Sequence, residues 1–121
     1  MSTQISSRKA KARRLQQWCR DQILESFPKL EEDDVKSTPM GVSGPDVQLS
    51  PAARGYVDFE IECKSAERIN LWSAWDQCET NAGDRQPLLV VKKNFSAPLA
   101  VIDAEFLMEL LPIIYKKRHE L

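Results

Sequence analysis

One segment, residues 56–64 (Tyr-Val-Asp-Phe-Glu-Ile-Glu-Cys-Lys), constrains the fold most, because apolar and charged residues alternate along it. A period of two predicts a β-strand with one buried face and one solvated face. The apolar face comprises Val57, Phe59, Ile61 and Cys63, and the charged face comprises Asp58, Glu60, Glu62 and Lys64. So many charges on one strand face are costly to bury without a role. Glu62 and Lys64 are two positions apart, so they can converge on one small object, the carboxylate holding a cation and the lysine meeting a phosphate or an attacking water.

A second acid, Asp46, precedes a short apolar run, Val47-Gln48-Leu49, and follows a loop rich in glycine, serine and proline. The interval between Asp46 and Glu62 has room for a strand, a turn over residues 50–55 and an antiparallel strand. This arrangement would bring the two acids side by side. Glycines in the loop allow the backbone to approach a ligand closely, although an ordinary turn fits the same residues.

The order of these residues, Pro45-Asp46 and then Glu62-Cys63-Lys64, resembles the two half-motifs of the PD-(D/E)XK nuclease superfamily. The resemblance covers residues 8–111 and is closest to small phage-encoded endonucleases of the Holliday-junction-resolvase type. It implies a restriction-endonuclease-like core and an endonuclease that hydrolyses phosphodiester bonds with Mg²⁺ or Mn²⁺. The implied metal ligands are Asp46, Glu62 and the backbone carbonyl of Cys63. The implied catalytic residues are Asp46, Glu62, Lys64 and the helix-borne Gln77.

Residues from Ser6 or Ser7 to about Phe27 are predicted to form a helix, because apolar residues recur at helical spacing. Its predicted buried stripe comprises Leu15, Trp18, Cys19, Ile23 and Phe27. Nucleases of the resembled superfamily often carry a glutamate on such a helix near the metal. Gln16 lies at one edge of the stripe but offers a neutral amide, whereas Glu25 offers a carboxylate at the opposite edge. Both residues remain candidates for supporting the metal site, and the alternative for each is an exposed helix side chain with no role there.

The remaining pattern predicts one α/β domain over residues 1–121, with a central mixed sheet of four to five strands flanked by helices. Further strands are expected at 35–38, 87–91 and 99–102, and further helices from about residue 67 to 82 and after the N-cap Asp103. Trp72 and Trp75 have the helical spacing of core residues. Pro112 is expected to break or kink the last helix. Residues 1–6 are expected to be disordered, and residues 113–121 to form a basic tail.

Basic residues are unevenly distributed, although the net charge is only −1. They cluster before the first acid, Asp21, and at the end of the predicted strand 87–91. Such clusters can bind the DNA backbone in a near-neutral protein, and solvated helix faces are the alternative. The predicted DNA contacts are Arg8, Lys9, Lys11, Arg13, Arg14, Lys92 and Lys93.

Several classes of protein are disfavoured by what the sequence contains. The only histidine is His119, which argues against a zinc site. The three cysteines are odd in number and lack a CxxC spacing, which predicts reduced, buried thiols. The sequence lacks an apolar run long enough to span a membrane and the apolar core of a signal peptide, so a cytoplasmic location is expected. A resolvase must cut two strands symmetrically, which implies a homodimer acting on branched DNA. A nuclease for flaps, nicks or linear DNA, or a non-cleaving DNA-binding protein of the same fold, remains an alternative.

Overall fold

The computed structural model describes residues 2–120, with side chains from residue 7 onward, and this range contains five strands and four α-helices. The helices are α1 (Ser2–Ser26), α2 (Pro51–Arg54), α3 (Leu71–Ala82) and α4 (Ala104–His119). The strands are β1 (Val35–Ser37), β2 (Val47–Leu49), β3 (Phe59–Ser65), β4 (Gln86–Lys92) and β5 (Leu99–Val101), and a 3₁₀ turn, Glu32–Asp34, precedes β1. None of the helices within this range has the length and apolar character needed to cross a bilayer.

The five strands form two sheets. One is the antiparallel pair β1–β2, and the other has the order β3–β4–β5, with β3 parallel to β4 and β4 antiparallel to β5. The predicted mixed α/β class is confirmed, but among the described residues the strands do not join into one central sheet of four to five strands. The predicted turn after β2 is instead a one-turn helix, α2, capped by Ser50, whose side chain accepts a hydrogen bond from the Ala53 N–H at 3.1 Å. This helix prevents a tight hairpin, so β2 and β3 do not pair by backbone ladder.

Helices cover both faces of the three-stranded sheet. Leu15 and Cys19 of α1 pack with Ile61 and Cys63 of β3 in the main core cluster. On the opposite face, Ala74 and Cys78 of α3 pack against Leu89 of β4 in a second cluster. Since successive strand residues point to opposite faces, Glu62 projects toward α3 whereas its neighbours project toward α1. All three cysteines are buried and free of disulfides, as the sequence predicts.

Arg85 forms ion pairs with two of the four charged residues that the sequence places on one face of the segment 56–64, Asp58 and Glu60. Its guanidinium lies 4.0 Å from Asp58 and 3.8 Å from Glu60, and it donates a hydrogen bond of 2.7 Å to the Val57 carbonyl. These two acids therefore have a structural partner, and only Glu62 and Lys64 on this face remain available for another role.

Several local predictions differ from the structure. Trp18 is 43% exposed and Trp72 is 77% exposed, so the prediction that both are core residues is wrong. The helix α1 begins at Ser2 rather than at Ser6 or Ser7, so the backbone of residues 2–6, predicted to be disordered, is helical; Met1 lies outside the described residues. The helix α4 continues through Pro112 to His119, so the proline does not break it. Spacing alone could not separate a buried stripe from an apolar face left open, because both have the same period.

Candidate functional site

Six of the predicted site residues line a single cleft of about 330 Å³. Its walls come from α1, the loop between β1 and β2, the carboxyl-terminal half of β3, and α3. The predicted residues that line it are Gln16, Asp46, Glu62, Cys63, Lys64 and Gln77. The sequence therefore brings together residues that are up to sixty-one positions apart in the chain.

Asp46 reaches the cleft because the loop between β1 and β2 closes tightly behind it. The Thr38 N–H donates to the Asp46 carbonyl at 2.9 Å, and the Thr38 hydroxyl donates to the Pro45 carbonyl. Gly44 has a φ of +122°, a conformation that side chains strongly disfavour, which explains a glycine just before the Pro-Asp pair. The Asp46 Oδ2 accepts a 2.7 Å hydrogen bond from the Cys63 N–H. Asp46 thus connects the two sheets with its side chain, where a hairpin between β2 and β3 was predicted.

Glu62 lies close enough to Asp46 that the charge of Asp46 raises the pKa of Glu62, and the two acids are hereafter called the acidic pair. Burial, the negative charge of Asp46 and a hydrogen bond between the two carboxyl groups raise the pKa of Glu62 to about 7, from an ordinary value of 4.5. A hydrogen bond from Asn81 Nδ2 to Glu62 Oε1 (3.2 Å) and the charge of Lys64 act in the opposite direction. Two carboxylates this close repel each other unless a proton or a cation lies with them.

Cys63 contributes its backbone to the cleft and its side chain to the core. Its thiol lies 3.7 Å from the Cys19 thiol, and this contact, followed by burial, raises the pKa of the Cys63 thiol. A neutral, buried thiol is neither a nucleophile nor a metal ligand. The N–H and C=O of one strand residue point to the same edge of the strand, so the Cys63 carbonyl faces the edge where Asp46 lies. The exposed Lys64 follows it along the cleft wall.

Gln16, and not Glu25, lies at the cleft. Gln16 is only 4% exposed, and within the described residues its Oε1 has no hydrogen-bond donor. A buried acceptor without a donor is uncommon and usually indicates an absent water or ion. Glu25 is exposed and follows Gln16 by nine residues, which is roughly 14 Å along α1 and on its opposite side.

Three residues that the sequence analysis did not identify also shape the site. Asn81 holds Glu62, Thr38 closes the loop behind Asp46, and Arg85 neutralises the rest of the charged strand face. Asn81 lies one helical turn after Gln77, so a search at i+4 from the predicted helix residue would have found it. Thr38 and Arg85 have no such sequence signal, because their partners are distant in the chain.

The donor set of the cleft suits a hard divalent cation, because it offers carboxylate, carbonyl and amide oxygens. No group of three or more histidine, cysteine, aspartate or glutamate side chains suited to a metal occurs among the described residues. The cleft provides two carboxylates, and Gln16 adds a buried amide oxygen rather than a third carboxylate. The residues present therefore fit Mg²⁺ or Mn²⁺, with one negative charge fewer than an acidic triad.

None of the predicted DNA-contacting residues lines the cleft of the acidic pair. Lys11, Arg14 and Lys92 line a second groove, which shares no lining residue with that cleft. The remaining four predicted contacts, Arg8, Lys9, Arg13 and Lys93, are exposed.

Comparison with known proteins found no match: no family model fits the chain, no curated protein is similar to it, and no solved structure resembles it.

Proposed function

We propose that the protein is a metal-dependent endonuclease that hydrolyses phosphodiester bonds in branched DNA, with the cleft around the acidic pair as its active site. The observation that carries this proposal is the juxtaposition of Asp46, Glu62 and the unpartnered oxygen of Gln16 beside Lys64. Two ionised carboxylates this close repel each other, so Glu62 keeps its proton near neutral pH, and a cation that replaces this proton relieves the same repulsion; the arrangement therefore favours metal binding.

Hydrolysis of a phosphodiester needs a positioned water, neutralisation of charge at phosphorus and support for the leaving oxygen. Asp46, Glu62 and the Cys63 carbonyl would hold the cation, and Gln16 would add a neutral oxygen. A bound Mg²⁺ would supply positive charge to offset that of the phosphate. Lys64 orients the attacking water and stabilises the charge that develops on the phosphate. Gln77 and Asn81 support this set from α3, the latter through its hydrogen bond to Glu62.

A two-strand cut at a four-way junction requires two active sites related by a two-fold axis, so this function includes a homodimer. A second candidate is a non-cleaving DNA-binding protein. It is favoured by the lack of a third carboxylate among the described residues near the acidic pair, since a weakly held cation would leave the basic surfaces to bind DNA without hydrolysis.

The deciding experiment is a cleavage assay with Mg²⁺ or Mn²⁺ on four-way, flap, nicked and linear DNA. Glu62→Gln and Lys64→Met should each reduce the cleavage rate by roughly a hundredfold or more, because Glu62 would hold the cation and Lys64 would stabilise charge at the phosphate. Glu25→Gln, the same acid-to-amide change on an exposed part of α1, is the matched control and should cleave as wild type does.

Wild-type protein that binds these DNAs but cuts none of them would establish the non-cleaving alternative. A Lys64→Met variant that cuts at the wild-type rate would remove Lys64 from the mechanism.

A further inference from the structure

A groove of about 590 Å³, larger than the cleft at the acidic pair, lies between α1 and the loop that joins β4 to β5. We call it the aromatic groove. Lys11, Arg14 and Lys92 line it, and none of the described residues that line it is acidic. Three cations and no acidic lining residue make a surface that attracts an anionic ligand, although Glu67, outside the lining, accepts a hydrogen bond from the Asn94 N–H at 2.6 Å.

Two exposed aromatic side chains line the same groove. Trp18 faces it with 43% of its surface exposed, and Phe95 is fully exposed. Phe95 also has a φ of 61°, in the left-handed region, where a bulky side chain is a genuine outlier. An aromatic residue in this conformation costs on the order of 1–2 kcal/mol and gains nothing from burial. Such strain tends to occur at ligand-binding sites, so the ring is positioned for a partner.

Cations combined with open aromatic rings match the chemistry of a single nucleic-acid strand. Phosphates contact lysine and arginine, while unpaired bases stack on exposed rings, and each stacked base contributes about 1–3 kcal/mol. A continuous duplex cannot use these rings, because its bases are already stacked on each other.

The aromatic groove and the cleft of the acidic pair adjoin across the same two elements. On α1, Leu15 lines the groove and Gln16 lines the cleft. At the end of β3, Ser65 lines the groove and Lys64 lines the cleft. The groove and the cleft are therefore lined by consecutive residues of α1 and of β3, so a strand held in the groove would belong to DNA near the acidic pair.

We propose that the aromatic groove binds a short single-stranded segment of DNA, with Trp18 and Phe95 stacking on unpaired bases. Lys11, Arg14 and Lys92 then contact the phosphates of that segment. The proposed binding of single-stranded DNA depends only on the groove, whereas the following consequence rests on the proposed nuclease function. The consequence is that DNA with an unpaired arm or unpaired bases at a branch is cut in preference to continuous duplex.

The test measures the affinity for a fluorescently labelled oligodeoxythymidylate of about twelve nucleotides by fluorescence anisotropy. A chelator is present so that no cleavage occurs. Trp18→Leu and Phe95→Asn should each weaken binding roughly tenfold, the equivalent of about 1.4 kcal/mol. Asparagine tolerates a positive φ, so Phe95→Asn removes the ring without disturbing the loop. Trp72→Leu is the matched control, because Trp72 is exposed on α3 away from the groove, and its affinity should stay within about twofold of wild type.

Wild-type affinity in both Trp18→Leu and Phe95→Asn, or an equal loss in Trp72→Leu, would overturn the proposal, as would equally tight binding of a duplex of the same length. Glu62→Gln separates this outcome from the nuclease function. It should bind the oligonucleotide normally while losing cleavage, so that either property can fail without the other.

A separate observation concerns α4, whose side chains are all described and none of which is buried. Phe106 packs edge-on against Phe59 of β3, with ring centres 5.5 Å apart, which turns one flank of α4 toward its own chain. Another flank carries an apolar stripe in contact with solvent. This α4 stripe comprises Leu107, Met108, Leu111, Ile114 and Tyr115. Its spacing is that of a helix–helix contact, so the face lacks its partner within the described chain.

The charges of α4 indicate what that partner is. Asp103 and Glu105 lie at its amino-terminal end, and Lys116, Lys117 and Arg118 at its carboxyl-terminal end. Leu111 lies midway between the N-cap Asp103 and the final residue His119. Two such helices crossing antiparallel at Leu111 would match acidic ends with basic ends, and their dipoles would also be opposed favourably.

We infer that α4 pairs antiparallel with α4 of a second copy of this chain, through the α4 stripe. Light scattering should give twice the chain mass of 13.8 kDa for wild type, and the chain mass alone for Leu111→Arg. Ile113→Arg is the matched control, because Ile113 is exposed outside the stripe and its variant should remain dimeric. A monomeric wild-type protein, or a Leu111→Arg variant that stays dimeric, would refute this pairing.

Discussion

Replacing Glu62 with glutamine should stabilise the protein at alkaline pH while abolishing its proposed activity. The pKa of Glu62 is raised from 4.5 to about 7 in the folded chain, chiefly by burial and by the charge of Asp46. An acid that holds its proton more tightly when folded stabilises the fold below its unfolded pKa, and this contribution is lost as the pH rises through the folded value. The stability of the wild type should therefore decline between about pH 4.5 and pH 7.

The size of this effect follows from the shift. A difference of about 2.5 pKa units corresponds to at most about 3.4 kcal/mol at about 1.36 kcal/mol per unit. Glu62 is only partly buried, and solvent screening reduces the figure to about 1.5 kcal/mol. Glutamine keeps an oxygen that can accept the hydrogen bond from Asn81 but has no charge to bury. Glu62→Gln should thus be about 1.5 kcal/mol more stable than wild type at pH 8, with little difference near pH 5.

Urea unfolding of both proteins at these two pH values, in a chelator, measures the difference directly. Glu79→Gln, the same change at an exposed position of α3, is the control and should leave the pH dependence unaltered. The reasoning fails if the stability difference between Glu62→Gln and wild type is the same at both pH values. Saturating Mn²⁺ should then reverse the order at the higher pH, because only wild type gains binding energy from the cation.

Three further perturbations test other parts of the account. Gln16→Glu adds a third carboxylate to the acidic pair, so Mn²⁺ should bind roughly tenfold more tightly by calorimetry, and unchanged affinity would place Gln16 outside the metal site. Arg85→Met leaves Glu60 without its cation and should lower the free energy of unfolding by roughly 2 kcal/mol in a urea titration, whereas a neutral result would make that ion pair dispensable. Arg13→Ala combined with Arg14→Ala should weaken DNA binding and reduce the slope of log affinity against log salt by about two, and an unchanged slope would exclude these arginines from the phosphate contacts.

The positions of the strands along the chain, and the face of β3 that carries Glu62 and Lys64, could be predicted because they depend on local patterns. Alternation identified β3, and its charged face located Glu62 and Lys64 on one side of the chain. The short strand at Val47–Leu49 likewise placed Asp46 at a strand entrance. These residues lie at one cleft because strand period fixes the face of a side chain regardless of tertiary detail.

The separation of the strands into two sheets could not be predicted, because it depends on whether the residues after β2 form a turn or a short helix. Ser50 followed by proline fits a turn and a helix N-terminus equally well, and the capping bond to Ala53 is visible only in the fold. The hydrogen bond from the Cys63 N–H to Asp46 joins positions with no sequence relationship. Periodicity also assigned Trp18 to the core, whereas in the structure Trp18 lines the groove beside α1 and is exposed.

The central claim is that Asp46 and Glu62 bind one divalent cation together, and calorimetric titration of Mn²⁺ near pH 7 tests it most directly. Comparing buffers of different ionisation enthalpy reports the protons released on binding. Because Glu62 has a pKa of about 7, wild type should bind one ion and release a substantial fraction of a proton. Asp46→Asn, whose amide oxygen can still accept from the Cys63 N–H, should lose binding, as should Glu62→Gln. Binding with wild-type affinity in either variant, or binding without proton release in wild type, would contradict the account.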